Sequence, residues 1–147
     1  MLTTLILPAD LRAQFAAEAR AAFPHECCGL IEGVREGGSV HALALRPTAN
    51  FSEDPDGFEI DPTAHLRLLR ELRGSGREIV GCYHSHPHGA PVPSKHDREQ
   101  GGTDGFVWLI AALPGAAAEA EFAAFVDADF RPLALRAMLE VGRREPL

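Results

Sequence analysis

One segment constrains the fold more than any other: an apolar run that ends in two histidines. Residues 77–86, REIVGCYHSH, have the length and apolar content of a buried strand. Side chains alternate between the two faces of a strand, so His84 and His86 share a face with their Cα atoms about 7 Å apart. Two imidazoles at this spacing can converge on one ion at the roughly 2.0–2.1 Å that zinc requires. The H-x-H pair alone is equally typical of a solvated loop.

Ser94 and Asp97 follow the histidines and stand on one side of the first turn of a predicted helix. The pattern S-x-x-D is typical of helix capping, with Ser94 as the N-cap. In the alternative interpretation, Asp97 is a third metal ligand, which would leave the fourth position of a zinc ion open as in catalytic sites. Three prolines in residues 87–93 restrict the backbone between the strand and this helix. Both interpretations remain open at this point.

The rest of the chain predicts strands and helices in the order βαββαβαβββ. This order indicates an α/β fold, a mixed β-sheet sandwich with helices packed against it, in a single domain over residues 1–147. Residues 46–62 predict a long ordered loop. The predicted strands are 4–7, 27–33, 39–47, 77–86, 106–113 and 121–130; helices follow Pro8, cover 62–73 and start at Ser94; residues 131–139 are a last strand or helix.

Periodic apolar residues support these assignments. Three patterns do so: a buried stripe in the first helix (Leu11, Phe15, Ala19 and Phe23), a stripe in the second (Leu66, Leu69 and Leu72), and the alternation of Val40, Ala42 and Ala44 with His41, Leu43 and Leu45 in the strand 39–47.

Composition excludes several classes of partner. The formal net charge of −7 disfavours a nucleic-acid backbone or an anionic membrane, because both bind clustered Lys and Arg. The apolar runs are shorter than the roughly 20 residues that span a bilayer, and the start of the chain lacks the basic region of a signal peptide. Cys27, Cys28 and Cys82 are an odd count, so we expect reduced thiols in a cytoplasmic protein.

Taken together, H-S-H-P and S-x-x-D, with seven residues between His86 and Ser94, resemble the JAMM motif of the MPN/JAMM metalloprotease family. Glu26, in PHECCGLIEG, resembles the glutamate that the family places upstream. Asn50 and the segment FEIDP (58–62) are similar to segments of compact bacterial members. The resemblance covers residues 26 to about 113 and implies an MPN/JAMM-like fold with cytidine-deaminase-like layering.

The resemblance also implies roles for five residues. His84, His86 and Asp97 would bind one zinc ion per chain. Glu26 would take a proton from the attacking water and pass it to the leaving amine. Ser94 would stabilise the oxyanion by hydrogen bonding, as well as or instead of capping the helix.

The function implied is a zinc-dependent hydrolase of peptide or isopeptide bonds. Its substrate would be a ubiquitin-like or sulfur-carrier protein, cleaved after a C-terminal Gly-Gly. The alternative is a non-catalytic MPN-type protein-binding scaffold, although scaffold members typically lack the zinc ligands. A zinc deaminase would require H-x-E with P-C-x-x-C, and the sequence contains neither.

Other cysteines and histidines are weaker candidates. Cys27 and Cys28 are next to His25, but neighbours on a strand face opposite ways and buried cysteine is usually inert, so we expect them to pack. Cys82 shares a strand face with His84 and is a remote candidate for a metal contact or an oxidant sensor. His25, His88 and His96 are expected to lie in solvent or behind the metal ligands.

Overall fold

The computed structural model describes residues 1–54 and 57–138. It confirms the mixed α/β class, and its elements follow the predicted order. These elements are β1 (Thr4–Ile6), α1 (Ala9–Ala22), β2 (Cys28–Glu36), β3 (Ser39–Thr48), α2 (Pro62–Leu72), β4 (Glu78–His86), α3 (Lys95–Gln100), β5 (Val107–Ala112), β6 (Glu121–Val126) and β7 (Arg131–Arg136).

The sheet closes on itself, which the sequence did not predict. Its strand order is β1-β3-β2-β4-β5-β6-β7, and β1 pairs in parallel with both β3 and β7 to complete a barrel. A strand of only three residues has too short a pattern to indicate two partners. Within this sheet β4 lies between β2, antiparallel to it, and β5, parallel to it. The strand that ends in the histidines is therefore held from both sides.

Alternate side chains of the central strands enter two separate apolar clusters. Tyr83 and Leu109 belong to the cluster that includes Phe15 of α1. Cys82 and Trp108 belong to the second cluster, which includes Leu68 and Leu72 of α2. Because strand side chains alternate, His84 and His86 extend the Cys82 face and lie on the side of the second cluster.

The apolar stripes predicted for the two long helices differ in how far they are buried. In α1 the stripe is confirmed for Leu11, Phe15 and Ala19, whereas Phe23 follows the helix as its C-cap and is only partly buried. In α2 the stripe is confirmed for Leu72 alone: Leu66 and Leu69 are 48% and 50% exposed, and Leu68 is buried instead. Both sets have helical spacing, and only contact with the sheet distinguishes them.

The alternation predicted for β3 holds only in its first half. Val40 and Ala42 are buried, but Leu45 rather than Ala44 is buried further along. Glu32 of β2 pairs with Ala44 of β3, whereas the next residue, Gly33, pairs with Ala42. This pairing skips Leu43, which is therefore the extra residue of a β-bulge. A bulge reverses the alternation beyond it, because one more residue is inserted into a period of two.

The end of the chain is described only in part. Residues 131–136 form a strand, one of the two alternatives predicted for 131–139, and residue 139 lies outside the described residues. That residues 1–147 form one domain stays a prediction. None of the helices in the described ranges is long and apolar enough to cross a bilayer.

Candidate metal centre

The end of β4 brings His84 and His86 to one point. His84 pairs with Cys28 of β2 and Ile110 of β5, which fixes its backbone on both sides. The two side chains are buried, and their Nε2 atoms lie 3.1 Å apart. The spacing of two residues on a strand therefore produces the predicted convergence.

The start of α3 brings a carboxylate to the same point. Ser94 caps the helix by accepting a hydrogen bond from the Asp97 N–H at 3.0 Å, and Asp97 Oδ2 accepts one from the Ser94 N–H at 2.8 Å. The same Oδ2 lies 3.1 Å from His84 Nε2 and 3.2 Å from His86 Nε2. The capping box predicted for Ser94 is confirmed, and it holds Asp97 against the histidines. Capping and a role in the site are thus compatible.

These three atoms have the geometry of a tetrahedral metal site. Ligands at about 2.0 Å from a tetrahedral ion are separated by about 3.3 Å. The observed sides of the triangle are 3.1, 3.1 and 3.2 Å. Two imidazoles and one carboxylate are also a donor set that suits zinc and leaves one position open. The residues present therefore fit the ion.

Glu26 lies beside this triangle, just before β2. It is 5% exposed, and a carboxylate oxygen lies within 4.8 Å of a ring nitrogen of both His84 and His86. Ser85, between the histidines, holds the adjoining backbone: its Oγ accepts the Cys27 N–H at 2.9 Å, and its N–H donates to the Cys27 carbonyl at 3.1 Å. A cleft of about 370 Å³ opens at this point, lined by His25, Glu26, Asn50, Ser52, Glu53 and Asp54.

The pKa values of the three converging groups are displaced from their usual ranges. Burial tends to raise the pKa of Asp97, but its hydrogen bonds to His84 and His86 outweigh burial and lower it. Burial lowers the pKa of His84, which is fully enclosed. The pKa of His86 is raised, because the contact with Asp97 outweighs burial. At neutral pH the site therefore presents an anionic carboxylate and a neutral His84.

The remaining cysteines behave as packing residues. Burial raises the pKa of Cys27 to about 12 and also raises that of Cys28, so both stay protonated at neutral pH. Cys82 is 3% exposed in the second apolar cluster, and burial raises its pKa well above the usual value. His25 and His88 are exposed, as predicted, and His96 is half-buried.

Phe58 and Asn50 belong to the site in ways that sequence reasoning missed. The Phe58 ring stacks on the His84 ring, with centroids 4.2 Å apart and planes 16° from parallel. The Asn50 side chain donates to the backbone carbonyl of Glu26 at 3.2 Å. Both stand in the polar segment 46–62. Of the two, only Phe58 has a sequence signal, since an apolar residue amid Pro, Asp and Gly indicates a buried side chain.

Comparison with known proteins identifies the family. The model of the prokaryotic homologues of the JAB domain matches residues 8–126. The chain belongs to this prokaryotic JAB family. The resemblance to MPN/JAMM proteins is thereby confirmed, and the matched range spans α1 to β6, including both histidines, Asp97 and Glu26.

Two relatives are similar to this chain in sequence. It is 35% identical over 116 residues to a desampylase of Haloferax volcanii, covering 76% of this chain and 82% of the relative. It is 32% identical over 94 residues to a probable TtuB-protein conjugate cleaving protease of Thermus thermophilus, covering 63% and 60%.

The solved structures support the fold. A Desulfitobacterium hafniense protein superposes with a TM-score of 0.77 at 26% identity, over 99% of this chain and 100% of its own. A JAB1/MPN domain protein of Archaeoglobus fulgidus superposes with a TM-score of 0.54 at 17% identity, over 92% and 95%. The latter similarity concerns the fold alone.

Proposed function

We propose that this chain is a zinc-dependent peptidase and isopeptidase. His84, His86 and Asp97 would hold one zinc ion per chain, through His84 Nε2, His86 Nε2 and Asp97 Oδ2. The observation that carries the proposal is the triangle of 3.1, 3.1 and 3.2 Å between these atoms, with a buried glutamate beside it.

Two carboxylates lie near the histidines, and their distances favour different roles. Asp97 Oδ2 lies within 3.2 Å of Nε2 of both histidines, as an oxygen that binds the same ion as those nitrogens must. The Glu26 carboxylate belongs to a looser group, whose ligand atoms lie within 4.8 Å of one another. A position beside the triangle and facing a cleft suits a group that exchanges protons with water and substrate.

Glu26 and Ser94 supply the remaining chemistry. Zinc, when bound, lowers the pKa of a water molecule and polarises a carbonyl. Glu26 accepts a proton from the attacking water and returns it to the departing amine. Ser94 Oγ accepts the Asp97 N–H, and a hydroxyl that accepts one hydrogen bond can still donate its own proton, here to the developing oxyanion.

The names of the relatives support a class of substrate. One is a desampylase and another a probable protease that cleaves TtuB-protein conjugates. We infer that this chain releases a ubiquitin-like or sulfur-carrier protein from its conjugates, by cleavage after a C-terminal Gly-Gly in the cytoplasm. Glycine has no side chain to hinder close approach of the backbone to the site, which favours such a tail.

The experiment uses a carrier that ends in Gly-Gly, joined through that tail to the N-terminus of a reporter or to a lysine side chain. Mass spectrometry of the products should show a carrier that ends in Gly-Gly. A chelator should abolish the cleavage, zinc should restore it, and Asp97→Asn should bind zinc weakly. A carrier whose tail ends in Ala-Ala is the matched control. A chain that lacks zinc after reconstitution and cleaves no conjugate would instead favour the non-catalytic scaffold.

A further inference from the structure

The two histidines of the site are held by different kinds of contact. A histidine that binds a metal through one ring nitrogen normally forms a hydrogen bond through the other, which orients the ring. His86 has a contact of this type, since its Nδ1 lies 3.5 Å from the Ala90 carbonyl. His84 Nδ1 is buried and has no hydrogen-bond partner among residues 1–54 and 57–138. Its ring must therefore be oriented by other means.

Aromatic rings enclose His84 instead. Phe58 covers one face of the imidazole at 4.2 Å and nearly parallel, and Trp108 meets it edge-on at 6.0 Å and 88°. Phe58 and Trp108 are only 1% and 3% exposed, so both rings are fixed by their own packing. Stacking between flat rings restricts their tilt, which is what a hydrogen bond to Nδ1 would otherwise restrict.

Phe58 stands in a loop, yet its backbone is held on both sides. The Asn50 side chain donates to the Gly57 carbonyl at 3.0 Å and accepts the Glu59 N–H at 3.0 Å. Gln100 of α3, the helix that carries Asp97, donates to the Phe58 carbonyl at 2.9 Å. The loop is thus attached to the same helix as one of the proposed ligands.

The same Asn50 amide also reaches the proposed general base. Its Nδ2 donates to the Glu26 carbonyl at 3.2 Å, so one side chain joins the residues that flank Phe58 to the backbone of Glu26. Asn50 is half-buried, and its Oδ1 also accepts the Ser52 N–H at 2.9 Å. An amide with both ends engaged has little freedom to rotate.

We propose that Phe58 positions the His84 imidazole for metal binding by stacking, and that Asn50 holds Phe58 and Glu26 in a fixed relation. Both are positioning residues, since neither donates an atom to the ion or to the scissile bond. The inference rests on the proposed function for the identity of the ion and of the base.

The experiment compares zinc affinity among matched variants of the full chain, by competition with a chromophoric chelator. Phe58→Leu removes the ring but keeps an apolar side chain, and Phe58→Tyr keeps the ring. Leu68→Ala is the control, because Leu68 is in the same apolar cluster but on α2. Melting temperatures of the zinc-free proteins show how much each variant is destabilised.

Phe58→Leu should weaken zinc binding about tenfold or more, the usual cost of removing a group that orients a ligand. Phe58→Tyr should stay close to wild type, and Leu68→Ala should lower the melting temperature with little change in zinc affinity. If Phe58→Leu binds zinc as wild type does, or no more weakly than Leu68→Ala, stacking does not position His84. If Phe58→Leu does not fold, a Phe58→Tyr variant that binds zinc more weakly than Leu68→Ala would also overturn the proposal.

Asn50→Ala, measured on the zinc-loaded enzyme, tests the second part of the proposal, that Asn50 holds Glu26 in place. Its kcat should fall by a larger factor than its KM rises, because the displaced Glu26 is the group that moves the proton, whereas Asn50 is only one of the six residues that line the cleft. An unchanged kcat would overturn the role of Asn50. A wild-type chain that binds zinc but cleaves no conjugate would refute the proposed function. The role of Phe58 would still be tested by the zinc affinities of the variants.

Discussion

Two glutamates are buried at either end of one short stretch of chain, and their surroundings differ. Glu26 precedes β2 and is 5% exposed; Glu32 lies within β2 and is 2% exposed. Arg77 and Arg46 donate to the two oxygens of Glu32 at 2.6 and 2.8 Å, so its charge is neutralised. Glu26 instead faces two imidazoles and a cleft. Burial alone therefore does not indicate catalysis; the partners of the carboxylate do.

The largest expected effect is on turnover, where substitution of Glu26 and of Glu32 should give different results. Glu26→Gln removes the group that moves a proton, and general acid–base catalysis usually contributes about 10²–10⁴-fold. We expect kcat to fall by that order, with zinc content and melting temperature close to wild type. Steady-state kinetics on a Gly-Gly fusion, with metal analysis of the same sample, provide the measurement.

Glu32→Gln is the matched control for this variant, because it makes the same chemical change at the other buried glutamate. It should keep kcat within a few-fold of wild type, since Glu32 lies away from the histidines. Wild-type turnover by Glu26→Gln would contradict the assignment of the base.

The next effect concerns Ser94, whose hydroxyl is proposed to act on the oxyanion while it caps α3. Removal of one oxyanion donor typically costs about 10²–10³-fold in kcat, whereas the lost cap costs only about 1 kcal/mol of stability. Ser94→Ala should show both losses. Ser94→Thr, which keeps a hydroxyl, should recover most of each. If Ser94→Ala loses stability but not turnover, Ser94 is a cap alone.

The third effect is on stability at neutral pH. Glu32→Gln leaves two arginines without their shared anion, but these arginines are 40% and 47% exposed and can be solvated. We expect the free energy of unfolding to fall by about 1–2 kcal/mol, less than for a wholly buried pair. Urea denaturation measures it. Glu71→Gln is the control: Glu71 also pairs with Arg46 but is 52% exposed, so its loss should be barely detectable.

Local patterns predicted the proposed ligands well. The spacing of His84 and His86 places two rings on one face in any strand, and the S-x-x-D pattern places Asp97 in the first turn of any helix that Ser94 caps. That these two pieces meet was one of two interpretations open from the residues, and the family resemblance favoured it. Their meeting depends on contacts between distant segments, which no local period encodes.

Features set by packing between elements were missed for the same reason. The predicted α2 stripe of Leu66, Leu69 and Leu72 is buried only at Leu72, because spacing alone cannot show which side of a helix meets the sheet. The bulge of β3 lies opposite Glu32, where β2 also shifts register against β4 between Ile31 and Glu32. Glu32 and its contacts with Arg46 and Arg77 lie at this irregularity, which strict alternation cannot predict.

The smallest effect uses pH to isolate the Glu32 cluster. Burial acts to raise the pKa of Glu32, but the hydrogen bonds from Arg77 and Arg46 outweigh it and lower the pKa. A carboxylate with a lowered pKa in the folded state stabilises the fold above its unfolded pKa of about 4.3, and this contribution disappears as pH falls through the folded value. The difference in unfolding free energy between wild type and Glu32→Gln should therefore be constant from pH 7 to about pH 5 and shrink below about pH 4.

Asp97 and Asp127 also have lowered pKa values, but both proteins retain them, so their contributions cancel in the difference. Urea titrations between pH 3 and 7 measure this difference. A difference that stays constant or grows in acid would show that the arginines do not lower the pKa of Glu32, and the contrast with Glu26 would then rest on position alone.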